Sequence, residues 1–338
     1  MLDHMVHEFW NTQPMGKDVE TRDADESPIA LPDGFEWSTC QTHELKNLLA
    51  AHYLTDDESS LEYSKEFIEW VLHADPYWNI ALRRKGKLIG FIAGRPSRMV
   101  CDGARVSTIE VTFLCVSKKL RGHRLAPSLI QELDRRAGRR GVYQAIFTAV
   151  KELPFPVAVT QSWHRLLNVP NLIKSGFYQT DRPRARAFDV HGTSLLHRAT
   201  QDDAEDVLNI LKAETQSLRV CRDVDDDYVQ RLLKLPHVFV GEGKFVCLYE
   251  VGYRGANGVA NRQAYVIHAV GDGALRDATI LAKNTGFDVL NCQDAPFTED
   301  ELLEHRFIRG LGALHYYLYN WKLDHRPLKN TELGFVLQ

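Results

Sequence analysis

The residues with the clearest chemical potential form a basic loop, Ser117-Lys118-Lys119-Leu120-Arg121-Gly122-His123-Arg124. The loop follows a β-rich run, Ser107 to Val116, and precedes a helical pattern with Pro127 in its first turn. A helix N-terminus offers free N–H groups and a partial positive charge, and guanidinium groups bind phosphate oxygens in pairs. These residue types therefore predict a site for a pyrophosphate group. A solvated basic loop at a helix start is the alternative interpretation.

Two aromatic residues near the N-terminus are the second candidate for a binding function. Phe9 and Trp10 precede a polar, acidic segment from Asn11 to Pro32, which carries too little apolar surface to fold alone. We expect this segment to be a linker that lies on the rest of the molecule. The two aromatic side chains then dock on another surface, either as hydrophobic anchors or as part of a binding site.

The predicted elements that position these residues alternate between strands and helices. With 338 residues the chain is more than twice the usual single-domain length of about 150, so two units are expected. The first half predicts, in order, a strand from Glu36, helices at Thr42 to Tyr53 and Tyr63 to Leu72, a hairpin at Asn79 to Ile92, a strand at Ser107 to Val116, a helix at Pro127 to Arg139 and a strand at Gly141 to Val150.

The second half repeats this order. Helices are predicted at Gln201 to Leu211 and Ala274 to Thr285, and strands at Lys244 to Leu248 and Gly286 to Leu290. Two copies of one α/β unit therefore fit the length better than two unrelated domains.

Composition excludes several classes of protein. The chain has 41 Lys+Arg against 45 Asp+Glu and a net charge of -4, so nucleic acid is not an expected partner and anion recognition must be local. Its 6 cysteines lack metal-ligand spacing, which predicts reduced thiols, no metal site and a cytoplasmic location. Because no apolar run reaches about 18 residues, we expect no transmembrane segment.

The sequence also resembles a known family. The spacing Arg121-Gly122-x-Arg124-x-Ala126 is similar to the phosphate loop of GNAT-type acyl-CoA-dependent N-acyltransferases. The wider block from Glu110 to Pro127 resembles the first signature of the N-myristoyltransferase (glycylpeptide N-tetradecanoyltransferase) family. Further blocks follow in family order: Phe9 to Pro14, Trp163 to Arg165, Gly286 to Val289, Tyr316 to Trp321 and Gly334 to Gln338. The resemblance therefore extends from Phe9 to the last residue.

The resemblance implies an α/β (α+β) fold of two GNAT-like acyltransferase halves, related by pseudo-twofold symmetry and packed as one compact unit, which agrees with the repeat. We expect residues 1–32 to be an N-terminal arm and linker that contributes to the acyl-CoA site. Residues 33–190 would form the N-terminal half, which binds acyl-CoA. Residues 191–338 would form the C-terminal half, which binds the peptide and ends in the catalytic C-terminus.

The resemblance also implies a donor substrate, tetradecanoyl-CoA, and no permanently bound cofactor. The backbone N–H groups of Phe113 and Leu114 would form an oxyanion hole for the thioester carbonyl, and such donors are worth about 3 to 4 kcal/mol each. The residues that it assigns to the CoA thioester are Glu8, Phe9, Trp10, Phe113, Leu114, Cys115, Val116, Arg121, Gly122, Arg124, Leu125 and Ala126.

The implied acceptor is the N-terminal glycine of peptides and nascent proteins. An α-amino group has a pKa of about 7.7 to 8.0, so a base must remove its proton. In the family that base is the terminal carboxylate, here that of Gln338, while Thr148 matches a threonine near the acceptor amine. The residues that match the peptide groove are Tyr53, Asp56, Asp57, His164, Asn291 and Leu337.

Departures from the family pattern concentrate on the peptide side. Gly310-Leu311-Gly312 replaces Gly-Asp-Gly and removes a carboxylate, and Val150 and Ser162 also differ. Acceptor preference is therefore expected to differ more than donor binding. Two other interpretations stay open: a GNAT-type transfer to a different amine or of a different acyl length, and an acyl-CoA or peptide-binding relative without turnover. We expect a monomer.

Overall fold

The computed structural model describes residues 9–17, 19–21, 24–53, 59–181, 185–323 and 328–335. Within these ranges 15 strands join in one sheet. In this described part, every helix is too short or too polar to cross a membrane.

The strands are β1 (Phe35–Ser38), β2 (Ser59–Tyr63), β3 (Asn79–Arg84), β4 (Lys87–Cys101), β5 (Ala104–Val116), β6 (Gln144–Ala149), β7 (Ala158–Leu166), β8 (His197–Arg198), β9 (Val220–Arg222), β10 (His237–Gly241), β11 (Lys244–Gly255), β12 (Ala260–Val270), β13 (Val289–Gln293), β14 (Ile308–Tyr319) and β15 (Leu333–Gly334). The α-helices are α1 (Thr42–His52), α2 (Lys65–Val71), α3 (Leu125–Gly138), α4 (Val169–Lys174), α5 (Ala204–Thr215), α6 (Asp226–Leu232), α7 (Ala274–Asn284) and α8 (Glu299–Glu304).

The predicted repeat is visible in the sheet. In the first half β3, β4 and β5 are antiparallel neighbours, α3 follows, and β6 then pairs with β5 in parallel. In the second half β10, β11 and β12 are antiparallel neighbours, α7 follows, and β13 pairs with β12 in parallel. The prediction of a repeated α/β unit is confirmed by this matching order.

The two halves exchange strands at the centre of the sheet, where the order is β5-β6-β14-β7-β13-β12. Strand β7 of the first half pairs with β13, and β14 of the second half pairs with β6. The predicted boundary near residue 190 therefore divides the chain but not the sheet. Side chains of both halves meet along these central strands.

Strands β5 and β6 separate soon after they meet. Their parallel pairing covers Thr108 to Glu110 of β5. On the other side of β5, Thr112 faces Ala93 of β4 and Cys115 faces Phe91. Phe113 and Leu114 therefore lie opposite the single residue Ile92 and form a β-bulge. A bulge bends its strand, and here it accompanies an opening between β5 and β6.

The helix expected from Tyr63 begins later, so that prediction is wrong at its start. Residues Ser59–Tyr63 form β2, which pairs with β11. Helix α2 follows at Lys65, after Ser64, whose side chain accepts a hydrogen bond of 3.1 Å from the Phe67 N–H. Pairing with a strand nearly 190 residues away overrode the local helical pattern.

The linker lies on α3, as predicted. The Ile29 N–H donates to the Glu132 carboxylate at 3.0 Å, and Arg135 donates to the carbonyls of Asp25 and Glu26. Glu132 is fully buried and is paired with Arg135 and Arg136, each at 2.8 Å. Burying a carboxylate is costly unless it is paired, so this cluster fixes one linker position.

Candidate functional site

A cavity of about 550 Å³ lies where β5 and β6 separate. This volume is typical of a small-molecule site. The part of the cavity beside β4, β5 and α3, here called its inner end, is lined mostly by apolar side chains, namely Ile92, Ile109, Ile130, Leu133 and Ala137, together with Asp134 of α3. Each methylene group buried there would contribute about 0.8 kcal/mol, so a chain of a dozen carbons would contribute about 10 kcal/mol. The inner end therefore suits a long hydrocarbon chain.

The bulge in β5 forms part of the cavity wall through Thr112, Phe113 and Leu114. Phe113 has a φ of 53°, an uncommon value for a non-glycine residue, and its side chain is fully buried. Its ring packs edge-on against Tyr53 at 5.8 Å and Tyr63 at 5.4 Å between centroids. Aromatic packing thus holds an irregular backbone in place beside the cavity, as a preformed set of hydrogen-bond donors requires.

The basic loop leads from β5 into α3. Gly122 and Arg124 both have positive φ values, 89° and 58°, and no side chain caps the first turn of α3. Residues 121–124 are exposed, whereas Leu125 is buried and anchors the helix start. The first N–H groups of α3 and the guanidinium of Arg124 are therefore presented together, which is the arrangement that binds phosphate.

The pKa of His52 reflects the positive charge of this loop. The Arg121 guanidinium donates to the His52 carbonyl at 2.7 Å, at the end of α1. Partial burial lowers the pKa of the His52 imidazole, and the neighbouring Lys118 and Arg121 charges lower it further. The loop is thus both tied to α1 and electropositive.

The N-terminal arm covers part of the same cavity. The Trp10 ring stacks on Phe147 of β6 at 5.3 Å, and Phe9 packs edge-on against Trp10 at 5.2 Å. Trp10 lines the cavity. Farther along the arm, the Asn320 side chain accepts from the Glu20 N–H and donates to its carbonyl. Trp10 is therefore both an anchor and a part of the cavity wall, and Phe9 packs against it.

Polar side chains line the opposite end of the cavity. Thr148 of β6, Ser162 of β7 and Gln293 of β13 all line it. Gln293 donates to the Ser162 hydroxyl at 3.1 Å and accepts from Thr160 at 2.9 Å. This end can therefore bind a polar group, in contrast to the inner end.

His164 and Asn291 lie two positions farther along the same two strands, on the same face as Ser162 and Gln293. They are paired across β7 and β13, with the pair of Trp163 and Cys292 between the two sets. The His164 Nδ1 and Asn291 Oδ1 atoms are 2.7 Å apart. The structure thus brings together two residues that are 127 positions apart in the sequence.

Leu311 lies beside this polar end in a bulge of β14 between Arg309 and Ala313. Its side chain is fully exposed, with a relative accessibility of 105%. The Gln161 side chain holds the bulge by donating to the carbonyls of Gly310 at 2.9 Å and Gly312 at 2.6 Å. The apolar side chain at this place is therefore presented to solvent by a fixed backbone.

Two predicted donor-site residues lie behind the cavity wall. Cys115 and Val116 are buried, and their side chains pack in the core beside α1 and α3. Burial raises the pKa of the Cys115 thiol to about 12, so it stays protonated. Glu8, Asp56, Asp57, Leu337 and Gln338 lie outside the described residues, so the predictions for them stay predictions.

The chain just before the C-terminus is firmly packed. Strand β15 pairs with β9, which in turn pairs with β4. Phe335 is 1% exposed, and the Arg222 guanidinium lies 5.0 Å from its ring centroid. Arg222 also pairs with the buried Glu110 carboxylate of β5. The described chain thus ends in the core, next to the strand that lines the cavity.

Sequence reasoning missed several cavity residues from the second half. Tyr249, Tyr265 and Gln293 line the cavity from β11, β12 and β13. Each looks locally like an ordinary strand residue, and its position becomes clear only from the pairing of strands across the two halves.

The fold and the site together combine a cavity lined mostly by apolar side chains with a basic loop at a helix start and with polar side chains of β6, β7 and β13. Family models support a narrower assignment: residues 14–160 match the N-terminal domain of Myristoyl-CoA:protein N-myristoyltransferase, and residues 263–336 match its C-terminal domain. Glycylpeptide N-tetradecanoyltransferase 1 of Arabidopsis thaliana is 33% identical over 100% of this chain and 90% of its own length. The Dictyostelium discoideum enzyme is 30% identical over 98% of this chain and 92% of its own length.

The chain therefore belongs to the glycylpeptide N-tetradecanoyltransferase family. Its fold agrees with that of Saccharomyces cerevisiae N-myristoyltransferase, solved with bound myristoyl-CoA, at a TM-score of 0.88. That match has 24% sequence identity and covers 98% of this chain and 95% of the yeast chain. The predicted family and fold class are confirmed.

Proposed function

We propose that this protein transfers a tetradecanoyl group from tetradecanoyl-CoA to the N-terminal glycine amine of acceptor proteins. One observation carries the proposal: a single cavity of about 550 Å³ is lined by apolar side chains of α3, by the irregular segment of β5 and by polar side chains of β6, β7 and β13. Membership of the family, at 33% identity over the whole chain, supports the same reaction.

The donor would lie with its acyl chain between β5 and α3 and its phosphates at the basic loop. Arg121, Gly122, Arg124, Leu125 and Ala126 form that loop and the start of α3. Their exposed N–H groups and positive charge favour a pyrophosphate. Phe9 and Trp10, with Glu8, would cover the CoA, and Trp10 is supported in this role by its position in the cavity wall.

The reaction would be a direct acyl transfer. The amine nitrogen attacks the thioester carbonyl carbon, the carbonyl oxygen gains negative charge, and the carbon–sulfur bond then breaks to release CoA. The N–H groups of Phe113 and Leu114 would stabilise that oxygen with about 3 to 4 kcal/mol each. The bulge supports this role because it turns both residues out of regular pairing with β4.

The terminal carboxylate of Gln338 would be the base that takes the ammonium proton. The buried Phe335 supports this role, because it anchors the chain three residues before the end. Thr148 would hydrogen-bond the amine from the cavity wall. The second amine proton leaves with the CoA thiolate or to solvent, which balances the reaction.

The acceptor peptide would follow the polar end of the cavity. Tyr53, Asp56, Asp57, His164, Asn291 and Leu337 are the proposed contacts. The pairing of His164 with Asn291 beside Ser162 supports a continuous polar floor for the peptide. We propose further that the protein is a monomer that acts in the cytoplasm. Size-exclusion chromatography and cell fractionation would test both statements.

A peptide panel tests the proposed reaction. The protein would be incubated with tetradecanoyl-CoA and peptides that begin with glycine, with alanine, or with an acetylated glycine and an internal lysine. We expect release of CoA and a mass increase only for free glycine, located on the α-amine by fragmentation. Product on lysine would instead support a different GNAT-type transfer, and binding without product would support a non-catalytic relative.

A further inference from the structure

A chain of buried hydrogen bonds extends from the polar floor into the C-terminal half. Its members, in order, are His164, Asn291, Gln263, Asn261 and Ser175, and Tyr265 joins it at Gln263. The four links measure 2.7, 2.9, 3.1 and 2.8 Å. The three amide residues are only 1 to 3% exposed. Such a buried polar network is stable when every member is satisfied.

The far end of the chain fixes its direction. The Ser175 hydroxyl donates its single proton to the Leu172 carbonyl at 3.2 Å, within the last turn of α4. Toward Asn261 it can therefore only accept a hydrogen bond. The Asn261 Nδ2 group donates to it, which leaves the Asn261 Oδ1 atom to accept from Gln263 Nε2.

Gln263 extends the same hydrogen-bond direction to Asn291 and His164. Its Oε1 atom accepts from Asn291 Nδ2 at 2.9 Å and from the Tyr265 hydroxyl at 3.0 Å. The Asn291 Oδ1 atom then faces His164 Nδ1 at 2.7 Å. A carbonyl oxygen only accepts, so neutral His164 must hold its proton on Nδ1, and its Nε2 atom carries a lone pair.

The Nε2 atom lies at the bulge of β14. A Cβ atom added at Gly310 would be 2.3 Å from Nε2, so only glycine leaves room for the imidazole there. His164 follows Ser162 on the same face of β7, and Ser162 and Gly312 both line the cavity. Burial lowers the pKa of His164. A neutral ring with its lone pair beside the bulge is therefore the form present at pH 7.

We propose that Gln263 is a positioning residue that holds His164 in its Nδ1–H tautomer, so that Nε2 accepts a hydrogen bond from an N–H or O–H of the bound acceptor peptide. The peptide part of this statement rests on the proposed function. The tautomer part rests only on the hydrogen-bond chain.

Nuclear magnetic resonance on protein with ¹⁵N,¹³C-labelled histidine tests the tautomer directly. His164→Gln identifies the His164 signals. We expect wild-type His164 to be protonated on Nδ1. The Gln263→Glu carboxylate keeps an oxygen that accepts from Asn291 and Tyr265, and it loses only the donation to Asn261 Oδ1 on the side away from His164, so the same tautomer should persist. Gln263→Leu removes that acceptor and should give a mixture of tautomers.

Kinetics with a glycine peptide provide the second readout. For Gln263→Leu we expect peptide KM to rise about fivefold to tenfold, the loss of one oriented hydrogen bond, with kcat and tetradecanoyl-CoA affinity changed less than twofold. Thr279→Val is the matched control, because it removes a buried hydrogen bond from α7 outside the chain and should leave peptide KM unchanged.

Either of two results would overturn the proposal: wild-type His164 protonated on Nε2, or a Gln263→Leu protein that keeps one Nδ1–H tautomer and an unchanged peptide KM. If Gln263→Leu does not fold, the wild-type and Gln263→Glu spectra decide. With the reverse hydrogen-bond direction, residue 263 would donate to Asn291, and wild-type His164 would be protonated on Nε2. Gln263→Glu would then lose that donor, and the single tautomer with it. A complete lack of transfer would refute the proposed function but would leave the tautomer result valid.

Discussion

The two halves of the sheet open in the same way but leave very different spaces. In the first half, β5 and β6 pair over three residues and then enclose a cavity of about 550 Å³. In the second half, β12 and β13 also pair over three residues, and the space beyond them is about 20 Å³. The shared topology therefore provides the opening, and the side chains decide whether it is a binding site.

The second opening is filled by chain segments. Its walls include Ala295, Pro296 and Phe297, which follow β13, and Gly334 of β15. Gly334 is tightly enclosed, because an added Cβ atom would be 2.3 Å from Leu218. The C-terminal strand thus helps close the opening of the second half.

The helix that follows each opening differs as well. Both α3 and α7 start after a residue in the left-handed region, Arg124 with a φ of 58° and Gly273 with a φ of 70°. The loop before α3 carries Lys118, Lys119 and Arg121, whereas the loop before α7 is Gly-Asp-Gly. Similar backbone geometry therefore follows a basic loop in the first half and a loop with an aspartate in the second, which supports the proposed phosphate site in the first half.

The largest expected effect concerns the chain end. Removing residues 336–338, or adding a Gly-Ser extension after Gln338, keeps the buried Phe335 but removes or displaces the terminal carboxylate. Because general-base catalysis contributes about 100-fold to 10,000-fold, turnover should fall by that order, with tetradecanoyl-CoA affinity nearly unchanged. Steady-state kinetics and calorimetry measure the two quantities. Gln338→Ala is the control and should retain activity, whereas full turnover in the extended protein would contradict the mechanism.

The second prediction makes the first opening resemble the second. Ala145 lines the cavity from β6, so Ala145→Phe should occupy part of the space for the acyl chain. Displacing three or four methylene groups costs about 3 kcal/mol, so affinity for tetradecanoyl-CoA should fall about 100-fold. Decanoyl-CoA, measured in parallel, should be affected much less. An equal loss for both donors would place Ala145 beside carbons that both chains share, and unchanged affinity for both would show that the acyl chain does not reach Ala145.

The third prediction removes the charge difference between the two loops. Arg124→Gly keeps the left-handed conformation, as Gly273 does in the second half, but removes the guanidinium. Affinity for tetradecanoyl-CoA should fall about tenfold to 100-fold, because a charge-assisted contact is worth about 1.5 to 3 kcal/mol. Arg276→Ala, in the first turn of α7, is the matched control. Unchanged donor affinity in Arg124→Gly would remove the loop from the donor site.

The sequence allows the repeat and the basic loop to be predicted because both depend on local patterns. Hydrophobic periodicity marks α3 and α7, and the loop residues are adjacent in sequence. The exchange of β7 and β14 between the halves has no local signature, since each strand pairs with partners more than 100 residues away. The same reason explains why Tyr63, the last residue of β2, was expected to begin a helix.

The site residues likewise fall into two groups, those that local sequence predicts and those that long-range strand pairing places. The donor loop and Phe113 lie in one continuous segment, so a resemblance in that segment is enough to propose roles for both, whereas the bulge at Phe113 was not predicted. Tyr265 and Gln293 enter the cavity only through strand pairing with β7 and its neighbours, and no spacing rule predicts their position. The network around Gln263 likewise becomes visible only once β7, β12 and β13 are adjacent.

The smallest expected effect concerns Leu311 of β14, the strand of the second half that lies in the centre of the sheet. Leu311 is fully exposed in a bulge of β14 that Gln161 holds in place. Leu311→Asp should therefore fold normally and add a carboxylate at the polar end of the cavity. An exposed ion pair contributes about 0.2 to 1 kcal/mol, so a peptide with a lysine should gain at most about fivefold in kcat/KM over the same peptide with alanine. The preference should weaken as salt is raised, because exposed charges are screened.

Leu311→Asn is the control without charge. If wild type and Leu311→Asp depend equally on the lysine, its partner lies elsewhere, and the apolar residue at this bulge does not set acceptor preference.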